Sequence, residues 1–441
     1  MAGASGLPAA AYAKRRKQLM RLAGDEAILV LPAALERIRS RDTHFPYRQD
    51  SDLWYLTGFP EPEAVLVLVP GRKHGETLLF CRERDPEREG WDGPRFGPEG
   101  AVEAFGLDDA YPIEDLDDIL PGLLEGRSRV YYHFGRDADF DLKLIGWLNR
   151  VRAMVRQGAQ PPHEFLELGH LLDEMRLFKD RDELKLMQRA ADISVQAHVA
   201  AMQAARPGIR EYELQAQIEC VFRMHDAVPA YGSIVGAGAN ACVLHYRDNN
   251  AAARDGDLVL VDAGAEYRGY AADITRTFPV NGRFSKEQRA LHDLVGAAQA
   301  AALAQARPGV AYEAGHIAAV EILTDGLLRL GLLKGKLAKN LADASYKRFY
   351  RHKTGHWLGL DVHDVGDYRF DGQSRLLEPG MVFTIEPGLY VSADDNTVDA
   401  KWRGIGIRTE DDVLVTKDAP KVLTDKLARS ADEIEALMAA R

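Results

Sequence analysis

The stretch LVLVDAGAEYRGYAADITRTF, residues 258–278, decides how this chain is read. Two apolar, β-branched runs flank a turn through Tyr267–Gly269, which predicts a bent hairpin of buried strands. Each arm carries an acid, Asp262 and Asp273. A carboxylate is almost never buried unless something neutralises it, because stripping water from the charge costs several kcal/mol. Further on, FTIEPGLY (383–390) and GIGIRTEDD (404–412) place Glu386 and Glu410 in similar runs, on strands expected to pair across Asn396. HWLGLDVHD (356–364) adds His356. One such acid reads as a salt-bridged core residue. Four beside a histidine ask for a stronger compensator, and two divalent cations sharing carboxylates would supply it.

The two acid pairs fall in two halves that echo each other. A helix predicted over 181–205 runs into AARPGIREYEL, and one over 285–306 runs into QARPGVAYEAG. Both open on a capping-box pattern, Asp180 with Glu183 and Ser285 with Gln288. The repeat of helix, turn, second helix and acid-bearing strands points to a duplicated unit. A pseudo-twofold relation would then set the acid pairs face to face around one cage.

Upstream, the first ~175 residues read as a separate α/β domain. AILVLP from Ala27, AVLVLVP from Ala64, TLLFC from Thr77 and VYYHF from Val130 look like strands, and LKLIGWLNRVRAMVRQ from Leu142 like an amphipathic helix. The expected domains are therefore 1–175, α/β, and 176–441, α+β with an internal duplication. A chain of 441 residues exceeds one comfortable core. With 56 basic against 67 acidic residues, the net charge of −11 disfavours nucleic acid or anionic membrane as a partner. The one basic cluster, KRRK from Lys14, reads as a solvated helix face. Cys81, Cys220 and Cys242 are widely spaced with no CxxC pair, which fits a reducing compartment. The N-terminus is apolar first and basic second, the reverse of a secretory signal, and no apolar run is long enough to span a membrane. A cytoplasmic protein is expected.

Oxygen donors with one imidazole suit Mn²⁺, Fe²⁺, Co²⁺, Zn²⁺ or Mg²⁺. Two such ions about 3.5–4 Å apart can hold a bridging hydroxide and polarise a carbonyl, so the natural reaction is hydrolysis of an acyl or phosphoryl bond. His245, His352 and His363 cluster near the acids in sequence and could orient a carbonyl or stabilise its oxyanion. Arg408 should share a strand face with Glu410 and meet a bound ligand. His198, His225 and His316 read as surface or hydrogen-bonded core residues. GAGAN from Gly236 lacks the Lys-Ser/Thr ending of a phosphate loop and reads as a tight turn, and Trp91 as an aromatic packed under an ordered loop.

The spacing of Asp262, Asp273, His356, Glu386 and Glu410 resembles the dinuclear metallopeptidases of the pita-bread fold, and within them aminopeptidase P, the Xaa-Pro aminopeptidases, in the bacterial form. YRQDSDLWYLTGFPEPEAVLVL (47–68) is similar to that family's N-terminal domain, and HWLGLDVHDVG (356–366) and RGIGIRTEDD (403–412) to its catalytic signatures. The resemblance implies a pita-bread catalytic domain that removes the first residue of peptides whose second is proline. It implies that Asp273 and Glu410 bridge two ions, most often Mn²⁺, with Asp262 completing one and His356 and Glu386 the other. Glu386 would be the general base, His363 and His245 would bind the scissile carbonyl or its oxyanion, and Tyr231, His352 and Arg408 would line the proline pocket. A homodimer or homotetramer is implied as well. Prolidase, which shares the ligands, is the alternative; a pita-bread binding module without metals is excluded by the five intact ligand positions. The chain departs from the family's HG[TL]SH at HKTGH, with Lys353 and Gly355 between His352 and His356.

Overall fold

The structure is a computed structural model that describes residues 6–440. It comprises two compact units, Met1–Met175 and Arg176–Arg441.

The first unit is built on a six-stranded sheet, in the order Asp109–Pro112, Thr77–Cys81, Val65–Leu68, Ala27–Pro32, Arg129–Tyr132, Glu164–Glu167. Ala27–Pro32 runs antiparallel to Val65–Leu68 and parallel to Arg129–Tyr132. Both faces of the central strands are buried, which is why they read as unbroken apolar runs. Ile28, Val30, Val65, Val67 and Phe80 pack with Leu116 and Leu120 and with Phe140, Leu144 and Trp147 of the helix Ala138–Ala153. That helix starts four residues before the expected Leu142, because the Asp137 side chain accepts from the amides of Asp139 and Phe140.

Two expectations in this unit fail. In KRRK, Arg15 and Arg16 are buried: Arg15 Nη1 donates to Tyr55 O at 3.1 Å, and Arg16 donates to Leu56 O at 2.8 Å and Gly106 O at 2.5 Å. These cations cap the C-terminal carbonyls of two helices, and basic character alone cannot distinguish that task from solvation. Trp91 lies in the short helix Pro86–Asp92 and is 84% exposed, with no cover.

The second unit repeats one motif. The helix Arg181–Ala204 is followed by Glu211–Met224, and Lys286–Leu303 by Glu313–Arg329; the capping boxes at Asp180/Glu183 and Ser285/Gln288 both form. Each helix pair packs on its own strands. Ile193, Met202, Leu214 and Phe222 meet Val259, Val261 and Phe278, while Leu291, Val295, Leu323 and Leu327 meet Phe383, Ile385, Leu389 and Ile407. In the first half Ile234–Ala237, Leu258–Asp262 and Thr275–Pro279 form an antiparallel sheet that pairs Asp262 with Thr275. In the second, Val382–Ile385 pairs with Asp411–Leu414, and Gly388–Val391 with Ile405–Arg408. The halves meet where the Glu410 amide donates to Thr275 O at 3.0 Å.

Asp262 and Asp273 are joined by the expected bent hairpin, whose tip carries left-handed residues at Arg268 (φ 54°) and Gly269 (φ 88°). Its base depends on Gly264. A Cβ there would stand 1.7 Å from the carbonyl oxygen of Ala272. Gly264→Ala is therefore expected to destabilise the protein by about 1–3 kcal/mol, as overpacking does. The measurement is the urea midpoint; an unchanged midpoint would show that the hairpin opens without cost.

Candidate metal centre and substrate pocket

The acids sit at the ends of strands rather than inside them. Asp262 closes the strand Leu258–Asp262, whereas Asp273, Glu386 and Glu410 lie in breaks between consecutive strands. A continuous strand would alternate its side chains across the sheet. Each break instead lets the backbone turn a carboxylate inward, and each freed amide finds a partner. The Asp273 amide donates to the Asp412 carboxylate at 3.2 Å, Glu386 N to Thr354 O at 2.8 Å, and Glu410 N to Thr275 O at 3.0 Å.

These breaks bring the acids together from both halves. Single donor atoms of Asp273, His356 and Glu410 lie within 4.8 Å of one another. His356 Nε2 stands 3.4 Å from Asp273 Oδ2 and 3.7 Å from Glu386 Oε1, while its Nδ1 is held by Trp357 O at 3.0 Å. The Tyr231 hydroxyl reaches Asp262 Oδ1 at 2.6 Å and Asp273 Oδ1 at 2.5 Å, and Arg408 Nη2 donates to Asp262 Oδ2 at 2.6 Å. Thr275 Oγ1 donates to Glu410 Oε2 at 2.6 Å.

Charge balance separates these acids from the others buried nearby. Asp411 is paired with Arg276 at 2.8 Å and Arg429 at 3.0 Å, and Asp364 with Arg176 at 2.6 Å and Lys179 at 2.9 Å. Among the described residues, Asp273, Glu386 and Glu410 have no lysine or arginine within ion-pair distance, only histidines or none. The titration behaviour follows. Burial, then the neighbouring carboxylates, hold Glu410 well above the usual range, and burial pushes Glu386 up to about 7. Asp262 is also raised by burial, against the pull of Arg408. Burial opposes ionisation of Asp273 too, but His356 outweighs it and the net shift is downward. His356 loses solvation on burial, yet Asp273 and Glu386 carry it up to about 9. A cage of hard oxygen donors and one imidazole, short of positive charge, fits divalent cations.

All ten residues singled out in the sequence line one cavity of about 750 Å³: Tyr231, His245, Asp262, Asp273, His352, His356, His363, Glu386, Arg408 and Glu410. Tyr231 and Arg408, expected as pocket walls, are tied to the carboxylates as well. His352 is held from both sides, Nδ1 by Lys353 O at 2.7 Å and Nε2 by the Tyr390 hydroxyl at 2.9 Å, and burial lowers its pKa to about 3, so it stays neutral. The His363 ring meets His356 edge to face at 4.3 Å. Gly355 is no slack point: a Cβ there would stand 1.9 Å from Thr384 O, and its own carbonyl accepts from the Tyr312 hydroxyl at 2.6 Å.

Sequence reasoning missed several contributors. His316, read as an ordinary core or surface histidine, lines the cavity with Nδ1 2.7 Å from Thr354 Oγ1. Thr275, Thr384 and Asp412 support the acids; the TEDD run was the only visible signal for Asp412. His198 is indeed a buried core residue, bonded to Ala263 O at 2.9 Å.

The sequence pattern of metallopeptidase family M24 matches residues 185–417, and that of the aminopeptidase P N-terminal domain matches 12–131. The chain belongs to metallopeptidase family M24, on its aminopeptidase P branch. It is 44% identical to Xaa-Pro aminopeptidase of Escherichia coli over 97% of each chain. It is 35% identical to Xaa-Pro aminopeptidase 3 of Rattus norvegicus, over 98% of this chain and 86% of that one. The structure of Pseudomonas aeruginosa aminopeptidase PepP superposes with a TM-score of 0.98, at 56% identity and 99% coverage of both chains. A glutamate-to-alanine variant of Escherichia coli aminopeptidase P in complex with substrate superposes at 0.96, with 43% identity and 99% coverage of both. The pita-bread architecture of this branch is thus the fold of the second unit.

The loop that carries His363 is fixed from below by a buried charge cluster. Asp364 bonds Arg176 and Lys179, and all three side chains are at most 2% exposed. Removing the shared anion would leave two buried cations facing each other. Asp364→Ala is expected to cost about 3–5 kcal/mol in chemical denaturation; a loss under about 1 kcal/mol would show that water replaces the carboxylate.

Proposed function

We propose that this chain is an Xaa-Pro aminopeptidase, hydrolysing the bond between the first residue of a peptide and a proline in second place. The observation that carries the metallopeptidase chemistry is the set of three buried acids without a lysine or arginine partner, facing a histidine-lined cavity. The proline specificity is supported by near full-length similarity to Xaa-Pro aminopeptidases.

Asp262, Asp273, His356, Glu386 and Glu410 would hold two divalent ions, Mn²⁺ being the proposed choice. When bound, such ions supply an activated water and polarise the scissile carbonyl. The remaining work belongs to side chains. Tyr231 and Arg408 fix the rotamers of Asp262 and Asp273. Glu386 accepts a proton from the attacking water at a carboxylate oxygen and passes it to the departing prolyl nitrogen. His363 and His245 donate to the carbonyl oxygen as charge develops there. His352, already hydrogen-bonded at both ring nitrogens, offers its face to the pyrrolidine ring. An Xaa-Pro bond is a tertiary amide without an N–H, so a site that reads ring shape suits it better than one that docks a backbone amide. The three cysteines are free thiols, which suits a reducing cytoplasm, where the enzyme would work as a homodimer or homotetramer.

Steady-state kinetics on Xaa-Pro-Ala, Xaa-Ala-Ala and Xaa-Pro peptides test the reading. Release of the first residue from Xaa-Pro-Ala is expected to dominate. Cleavage confined to Xaa-Pro dipeptides would make the protein a prolidase, and no cleavage before proline would overturn the assignment. Within the mechanism, Glu386→Gln is expected to lower kcat about 10²–10⁴-fold with metal content controlled. His363→Ala is expected to lower kcat more than it raises KM, by about 2.7–4 kcal/mol on the scale of a lost oxyanion donor. Full activity in either variant would move that role to another residue.

A further inference from the structure

Besides its histidines, the cavity is lined by four cationic side chains: Arg247, Lys353, Arg369 and Arg408. Two are balanced. Arg408 lies 2.6 Å from Asp262 and Arg369 2.6 Å from Glu313. Arg247 and Lys353 have no carboxylate within ion-pair distance among the described residues, and both are exposed to solvent. Lys353 also occupies a position where the family pattern has glycine, so its charge is not part of the common machinery.

Their places along the chain put them beside the substrate groups. Lys353 directly follows His352, whose ring it holds through its own carbonyl at 2.7 Å. Arg247 follows His245 by two residues, on the segment that borders the cavity. The Lys353 ammonium is felt within the cavity: burial and then this charge lower His316 to about 4. One part of the cavity is therefore rich in carboxylates, and another carries two unbalanced cations. An enzyme that releases the first residue must hold that residue at the metal centre. Proline and everything after it then extend past His352 towards Lys353 and Arg247.

We propose that Arg247 and Lys353 bind a carboxylate that the substrate carries beyond its proline. Two sources present that group: the C-terminal carboxylate of a tripeptide, and an aspartate or glutamate side chain following proline. Either gives a charge-assisted contact that a long neutral peptide lacks. This inference rests on the Xaa-Pro aminopeptidase reading and refines it to short or acidic peptides.

The test compares kcat/KM for four peptides: Ala-Pro-Ala and its C-terminal amide, and the amides of Ala-Pro-Glu and Ala-Pro-Gln. The acid-to-amide ratio reads the C-terminal carboxylate, and the Glu-to-Gln ratio reads the side chain. At least one ratio is expected to reach roughly three- to tenfold, the scale of a part-exposed charge pair. That ratio should fall as salt is raised, and should collapse towards one in Arg247→Gln, Lys353→Gln or the double variant. A merely structural role would lower all four substrates together and leave the ratios intact, which overturns the proposal. Ratios of one in an active wild-type enzyme also overturn it while the Xaa-Pro reading stands. Failure to cleave any of the four would defeat both.

Discussion

Three inward-turned carboxylates that no lysine or arginine balances, on Asp273, Glu386 and Glu410, set the terms for the catalytic unit. In an interior of low polarizability an uncompensated charge costs several kcal/mol. The protein meets that cost for its other buried acids with arginines and lysines, as at Asp411 and Asp364. At the centre it does not. His356 and Arg408 supply part of the missing positive charge, and the upward shifts of Glu386 and Glu410 mark what is still lacking.

The duplicated architecture is what makes such a cluster possible. Each half places its acids where a strand ends or breaks, and the freed amides are satisfied by the facing segment, as where Glu410 N meets Thr275 O. The acids are therefore held by rigid strands on both sides, with their rotamers fixed by Tyr231, Thr275 and Arg408. Outside this ring the arrangement loosens, and His245, His363, Arg247 and Lys353 stand at the exposed part of the cavity. Rigid ligands with an adaptable rim suit an enzyme that repeats one chemical step on varied peptides.

Much of this was legible in the sequence because it rests on local signals. Acids in β-branched runs, the paired capping boxes and the Tyr267–Gly269 turn all work over a few residues, and each appears in the structure. What escaped depends on partners distant in the chain. The breaks at Glu386 and Glu410 could not be read from apolar runs that continue on both sides. His316 looks like any lone histidine until Thr354 meets it. Arg15 and Arg16 look solvated until the carbonyls of Tyr55 and Leu56 arrive above them. Trp91 was misread for the opposite reason, since nothing in the first unit covers it.

Calorimetric titration of metal-stripped protein with Mn²⁺, in buffers of different ionisation enthalpy, tests the central claim most directly. Carboxylates held protonated by burial and mutual repulsion must give up protons when a cation takes their place. The account predicts two ions bound per chain, net proton release on binding, and peptidase activity that appears with occupancy. A stripped protein that binds no divalent ion yet cleaves before proline would contradict it.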